Sequence, residues 1–315
     1  MRCRWSKVAG SEPAVVREFH VKHRLLVVGM ASFLTGCAVG IQPQSDTPSS
    51  PQQAVAGNPL RPVAVSVSGS DVELSAFLYR PASPGAHPAM LHLHGCGGFR
   101  NAAGAPNESY RFWAEHWVRL GFVVLVLDSL TPRGEKEVCT QNARRIRVNV
   151  ERVRDAFAGL SYLAGLSDVD PARILLQGWS NGGSATLNVL SATGPGRMAD
   201  GPRFKAAVAY YPGCFLLTRE AWRPTVPLLI QSGAADDWTP ARHCELIAER
   251  ARASGLPVEI DVYPDAHHSF DRVRQPLRLL PNVGPGRKGA HVETHPEARE
   301  KSLRRVTEWV LAQLK

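Results

Sequence analysis

The sequence lacks an apolar run long enough to cross a bilayer. The stretch Leu25–Leu34 would reach only about 15 Å as a helix, half of a hydrocarbon core, so no permanent transmembrane helix is expected. Internal repeats are absent too, which excludes a solenoid or propeller array. Acidic residues are the scarcer sign, 28 against 37 Lys and Arg in 315 residues, for a formal charge of +9. That excess is not spread evenly. Residues 1–36 hold six basic side chains and two acidic ones, so they carry +4 and leave +5 for the remainder. Over roughly 280 residues that remainder speaks for ordinary solubility, not for an anionic polymer as partner. With 44% hydrophobic and 21% charged residues the composition is globular, neither disordered, collagenous nor coiled-coil.

The amino-terminal segment reads as an export signal. Lys22-His23-Arg24 forms a basic region ahead of Leu25–Leu34, and the stretch closes on Leu34-Thr35-Gly36-Cys37. This resembles the lipobox of bacterial lipoproteins, in which the cysteine is lipidated and becomes the mature N-terminus; Cys37 is the expected lipidation site. The polar residues 1–20 are atypical for such a signal, and Val21 is an expected alternative start. From Ala38 to Leu60 the chain is rich in Pro, Gln, Ser and Gly and cannot bury enough apolar surface to order itself. The expected organisation is therefore a signal in 1–36, a lipidated cysteine and tether in 37–60, and one domain in 61–315.

Residues 61–315 alternate short β-rich runs with helical periods. Val63–Val67 and Val72–Leu78 bracket Ser68-Gly69-Ser70-Asp71 and predict an antiparallel hairpin. Ala89–His94 and Phe122–Leu127 are compact apolar runs of buried-strand length. Between them Trp113, Trp117 and Leu120 share a helix face, with Gly121 placed to end it. A longer helix is predicted where Ile146, Val150, Val153, Phe157, Leu160 and Ala164 repeat at spacings of three and four, with Arg and Glu on the opposite face. Strands follow at Ile174–Gln177, Ala206–Tyr211, Leu228–Gln231 and Val258–Val262, and helices at Gly182–Leu190, Ala241–Ala253 and from Pro296 onward. Alternation of this kind implies right-handed βαβ crossovers and a mostly parallel sheet covered on both faces.

Chemistry concentrates in four loops. Gly178-Trp179-Ser180-Asn181-Gly182 matches G-x-S-x-G between a predicted strand and a predicted helix, the setting that exposes a nucleophilic serine on a tight turn. A serine hydroxyl needs a base to take its proton and an acid to orient that base. Asp236 and Asp237 follow one strand, His267 and His268 the last one, in the order Ser, Asp, His. All lie just past strand ends on one edge of the sheet, where open α/β folds place their sites. The fourth loop, Gly95-Cys96-Gly97-Gly98, brings a backbone N–H near the site; Cys96 and Asn181 are the expected oxyanion donors.

Together these motifs resemble the dienelactone hydrolase family of α/β-hydrolases over about residues 61–315. The resemblance implies an α/β-hydrolase fold, the nucleophile motif on Gly178–Gly182, the acid motif G-x-x-D-x-x-[VT]-P on Gly233–Pro240, and the histidine of H-x-F on His268. It selects Asp236 over Asp237 and His268 over His267. One departure stands out: the family's dienelactone hydrolases carry a cysteine nucleophile and a glutamate in the loop after the early strand, whereas here stand Ser180 and an acid-free His94–Gly98. Hydrolysis of an ester or related acyl bond is expected; dienelactone as substrate is not implied.

Other residues carry two readings each. His92 and His94 share one side of a strand, yet no Asp or Glu follows at tight spacing, so packing of His94 under the oxyanion loop is expected rather than a metal site. Trp179 and Trp238 line a pocket or belong to the core. Arg133 reaches a substrate carboxylate or is a solvated loop arginine. Residues 271–295, rich in Pro and Gly, are expected as a long irregular loop at the pocket rim. Setting aside Cys3 and Cys37, four cysteines remain, with three possible pairings outside the cytoplasm; Cys214–Cys244 with Cys96–Cys139 is the expected set.

The reading is thus an exported, lipid-anchored serine hydrolase on the periplasmic or cell-surface side of a bacterial membrane, using Ser180, His268 and Asp236 without a cofactor. A serine peptidase, a thioesterase and a catalytically silent binding lipoprotein are its alternatives. A small ester or acyl substrate, a monomer, and membrane contact through lipid alone are expected, with no nucleic acid.

Overall fold

The computed structural model describes residues 61–192 and 201–315. The signal, Cys37 and the tether lie outside the described residues. Eight strands form the central sheet: β1 Val63–Val67, β2 Leu74–Tyr79, β3 His87–Leu93, β4 Val123–Asp128, β5 Val169–Trp179, β6 Ala207–Tyr210, β7 Leu228–Gly233 and β8 Val258–Tyr263. Their order is β1-β2-β4-β3-β5-β6-β7-β8. The hairpin β1–β2 is antiparallel and β2 runs antiparallel to β4; every pair from β4 to β8 is parallel. The mostly parallel sheet is what the alternating pattern predicts, and with its leading antiparallel hairpin it is the α/β-hydrolase architecture that the resemblance implies.

Among the described residues five α-helices cover the sheet: α1 Glu108–Arg119, α2 Glu151–Ala164, α3 Asn181–Val189, α4 Ala241–Ala253 and α5 Pro296–Ala312. The twofold side-chain period of the strands sends alternate residues to opposite faces. Leu91, Leu93, Leu125 and Leu127 pack with Val153 and Leu160 of α2, Leu187 of α3 and Ile247 of α4. Met90, Val124 and Val126 pack with Trp113 and Trp117 of α1 and Val306 and Val310 of α5. Both faces are therefore apolar, and the strands read as nearly continuous hydrophobic runs.

Three expectations are corrected. Helix α2 begins at Glu151, not near Ile146, because the Glu151 carboxylate accepts the Arg147 N–H at 2.8 Å and closes a turn before the helix. Ile146 is apolar for another reason, being buried with Leu130 and Val138 in a separate cluster beside Cys96. Leu120 is 39% exposed because it is the helix cap rather than part of the inward stripe. Finally, residues 271–295 are not wholly irregular: β9 Arg278–Leu280 pairs with β10 Ala290–Val292 in a small hairpin. Strands of three residues are too short to print a period in the sequence.

Candidate active site

At the end of β5 the chain turns sharply into α3, and Ser180 sits at the corner with φ 52° and ψ −114°. A positive φ is costly for a residue with a side chain, and the surroundings hold it there. The Ser180 N–H donates to the Tyr210 carbonyl at 2.9 Å. Crowding explains both motif glycines. A Cβ on Gly178 would lie 2.4 Å from the Gly182 carbonyl oxygen, and one on Gly182 would lie 2.0 Å from that of Leu93.

The two residues selected downstream, Asp236 and His268, converge on that corner. His268, in the loop after β8, places Nε2 2.9 Å from Ser180 Oγ and Nδ1 2.8 Å from Asp236 Oδ2. Both residues are buried, His268 at 1% and Asp236 at 4% exposure. Burial alone would raise the Asp236 pKa, but His268 and the donors of Trp238 and Thr239 bind its charged form and hold it below the ordinary carboxylate value. An ionised Asp236 accepts only, so the proton of His268 sits on Nδ1 and leaves Nε2 free to accept from Ser180.

The neighbouring residues are engaged elsewhere. Asp237 accepts the His291 N–H at 2.8 Å, and His267 Nδ1 lies 2.8 Å from Glu293. Both pairs tie the β9–β10 segment to the sheet edge. Rings also enclose His268: Tyr211 lies at 4.5 Å and Trp238 at 4.8 Å between centroids.

Cys96 and Asn181 line, with Ser180, a cavity of about 590 Å³ whose apolar wall includes Phe215, Leu216 and Trp238. Asn181 is the first residue of α3, where backbone N–H groups have no helical acceptor and the helix dipole favours negative charge. The loop carrying Cys96 is braced from beneath. Ser129 N–H donates to His94 Nε2 at 3.1 Å, and His94 Nδ1 lies 2.7 Å from the Gly95 oxygen, so Nδ1–H donates into the peptide unit whose N–H belongs to Cys96. Burial pushes the His94 pKa down to about 3, which keeps the ring neutral for this role. His92 packs edge-on against Trp179 at 5.0 Å, and among the described residues no cluster of three potential metal ligands is found.

Disulfides join Cys96 to Cys139 and Cys214 to Cys244, the expected set. Because the first closes a separation of 43 residues and pins the loop that carries Cys96, Cys139→Ser is expected to cost about 2–4 kcal/mol of stability. It should also lower ester turnover by about tenfold as the donor loses its fixed aim. Chemical denaturation and steady-state kinetics on the same sample check both; unchanged turnover would show that the bridge serves stability alone.

Two sequence readings change. Arg133 neither faces substrate nor is solvated: it pairs with Asp155 at 2.8 Å and with Asp71, and Asp155 is fully buried. Trp179 is buried in the core, its Nε1–H donating to Asp271 at 2.9 Å, and also borders a smaller recess beside Ser180 and His268, whereas Trp238 lines the large cavity as well. Asp271 escaped the sequence reading altogether. Burial raises its pKa, and Trp113 Nε1, Trp179 Nε1 and Tyr211 OH donate to it, which anchors the rings next to Ser180 and His268. An Asp directly after H-x-F leaves no periodic signal.

Comparison with known proteins agrees with the architecture. A family model described as the dienelactone hydrolase family matches residues 74–314. Quorum-quenching protein AidA of Acinetobacter baumannii is 32% identical over 129 residues, 41% of this chain and 39% of that protein. The chain thus spans about two fifths of the length of that curated relative. Among solved structures, the butyrate-bound esterase Est2 of Thermogutta terrifontis superposes with a TM-score of 0.59 at 19% identity, over 80% of this chain and 94% of that one. A protein described as a dienelactone hydrolase from Klebsiella pneumoniae gives 0.58 at 19% identity, over 80% and 99%. At such identities the likeness is one of fold.

Proposed function

The chain belongs to the dienelactone hydrolase family and is a hydrolase of the carboxylic-ester type; from that premise we propose that it cleaves esters through an acyl-enzyme on Ser180. The hydrogen-bonded line from Ser180 Oγ through His268 to Asp236 carries the proposal. Ser180 Oγ attacks the acyl carbon while its proton passes to His268 Nε2. Asp236 holds the imidazole by Nδ1–H and stabilises the imidazolium that forms. The acyl oxygen becomes an oxyanion facing the N–H groups of Cys96 and Asn181. Collapse expels the alcohol, which takes its proton from His268. Water, deprotonated by the same nitrogen, then releases the acid and restores Ser180.

The cavity suits an apolar acyl or aryl group. Its volume of about 590 Å³ lies within the range of small-molecule sites, with Phe215, Leu216 and Trp238 for walls. p-Nitrophenyl esters from acetate to octanoate are the test. Turnover rising with acyl length until the cavity is filled is the expected result; no turnover of any member would overturn the reading.

Export with lipidation at Cys37 belongs to the same proposal. Its supports are the sequence Leu34–Cys37 and the two disulfides, which persist in oxidising compartments.

A further inference from the structure

Helix α2 presents Arg152 inward, and its side chain is fully buried. One guanidinium nitrogen, Nη1, donates to Asn181 Oδ1 at 2.9 Å and the other, Nη2, to the His94 carbonyl at 2.8 Å. These acceptors belong to the two loops that carry the oxyanion donors: Asn181 itself, and the residue two places before Cys96. A single side chain thus clamps both halves of the hole from behind.

No carboxylate among the described residues pairs with this cation. Asp155, one turn along the same helix, and Asp128 attract it from a distance, but both oxygens of Asp155 are taken by Arg133 and Ser70, and Asp128 holds Arg100. Arg152 Nε and Asn181 Nδ2 lack partners as well. Desolvation draws the Arg152 pKa down to about 10, so the group is still charged near neutrality. A buried, unpaired cation is expensive, and proteins normally supply a counter-ion or remove the charge.

We propose that Arg152 is a positioning residue for the oxyanion hole, and that the counter-charge it lacks at rest is the oxyanion that forms on the substrate. The inference rests on the proposed Ser180 chemistry. In the ground state the acyl oxygen is nearly neutral and Arg152 gains little from it. In the tetrahedral intermediate a full negative charge appears in a water-poor site, where a fixed positive charge acts strongly. The benefit therefore falls on the transition state, which affects kcat rather than KM.

Three variants test this: Arg152→Met, Arg152→Lys and Asn181→Asp. Each is measured for kcat and KM on p-nitrophenyl acetate, for inhibition by phenylboronic acid, whose adduct on the serine is a tetrahedral anion, and for melting temperature. Arg152→Met should lower kcat about 10- to 100-fold with KM within about twofold, and weaken the boronate by the same factor. Arg152→Lys, which keeps the charge but not the two-pronged clamp, should recover part of both. Asn181→Asp gives Arg152 a resting counter-ion, so it should melt no lower than the wild type while losing at least about tenfold in kcat. If Arg152→Met does not fold, the other two variants decide. Folded Arg152 variants with wild-type kcat and boronate affinity, or an Asn181→Asp protein of undiminished kcat, would overturn the inference. Ser180→Ala keeps the two failures apart: should it remain active, the serine chemistry is wrong, whereas an inactive Ser180→Ala beside unaffected Arg152 variants removes only the role of Arg152.

Discussion

Ser180→Ala is expected to lower turnover of p-nitrophenyl acetate by at least about 10³-fold while leaving the fold intact. The hydroxyl makes one side-chain hydrogen bond, to His268 Nε2 at 2.9 Å. Losing it costs about 1 kcal/mol. In a chain of this size that shifts the melting temperature by only about 2–4 °C. The positive φ of the corner is a property of the backbone and persists with alanine. Kinetic loss and stability loss therefore separate cleanly, and steady-state rates beside a melting curve read both. Equal rates in variant and wild type would end the nucleophile assignment.

Asp236→Asn should cost kcat about 10³- to 10⁴-fold. An asparagine there turns an NH₂ group or a weak carbonyl acceptor toward His268. The imidazole is then free to carry its proton on Nε2, where it cannot accept the proton of Ser180. The adjacent substitution Asp237→Asn is the control: that carboxylate binds His291 and should leave kcat within about twofold of the wild type, because its side chain bonds to none of Ser180, His268 and Asp236. A comparable loss in both variants would mean that the segment 233–240 is needed only for folding, and circular dichroism alongside the kinetics would reveal it.

The fold was legible where the physics is local. Apolar runs bounded by turns located the sheet strands, since strands buried on both faces need little but hydrophobic residues. G-x-S-x-G between a strand and a helix located the corner, because nothing larger than glycine fits at Gly178 and Gly182. The resemblance to the dienelactone hydrolase motifs selects Asp236 and His268 over their neighbours, and the structure sets His268 against Ser180 and Asp236 against His268, while Asp237 and His267 pair elsewhere.

What escaped was polar and buried. Helical periodicity assigns Arg152 and Asp155 to the charged outer face of α2, yet both are fully buried. Their burial depends on partners far away in sequence, Asn181 and His94 for one, Arg133 and Ser70 for the other. Arg133 was misread for the same reason. Asp271 is held by tryptophans from α1 and β5, a meeting that no local pattern announces. A hydrophobic period identifies which residues must be inside; it is silent about which charged residues are permitted there.

The proposed acyl-enzyme is a covalent intermediate on one oxygen, Ser180 Oγ. The most direct measurement is intact and peptide mass spectrometry after reaction with a fluorophosphonate, which mimics the tetrahedral adduct and cannot be hydrolysed onward. One phosphonyl group per chain is expected, on the peptide that contains Ser180, with labelling abolished in His268→Ala and preserved in Asp237→Asn. A label on any other residue, or undiminished labelling without His268, would contradict it.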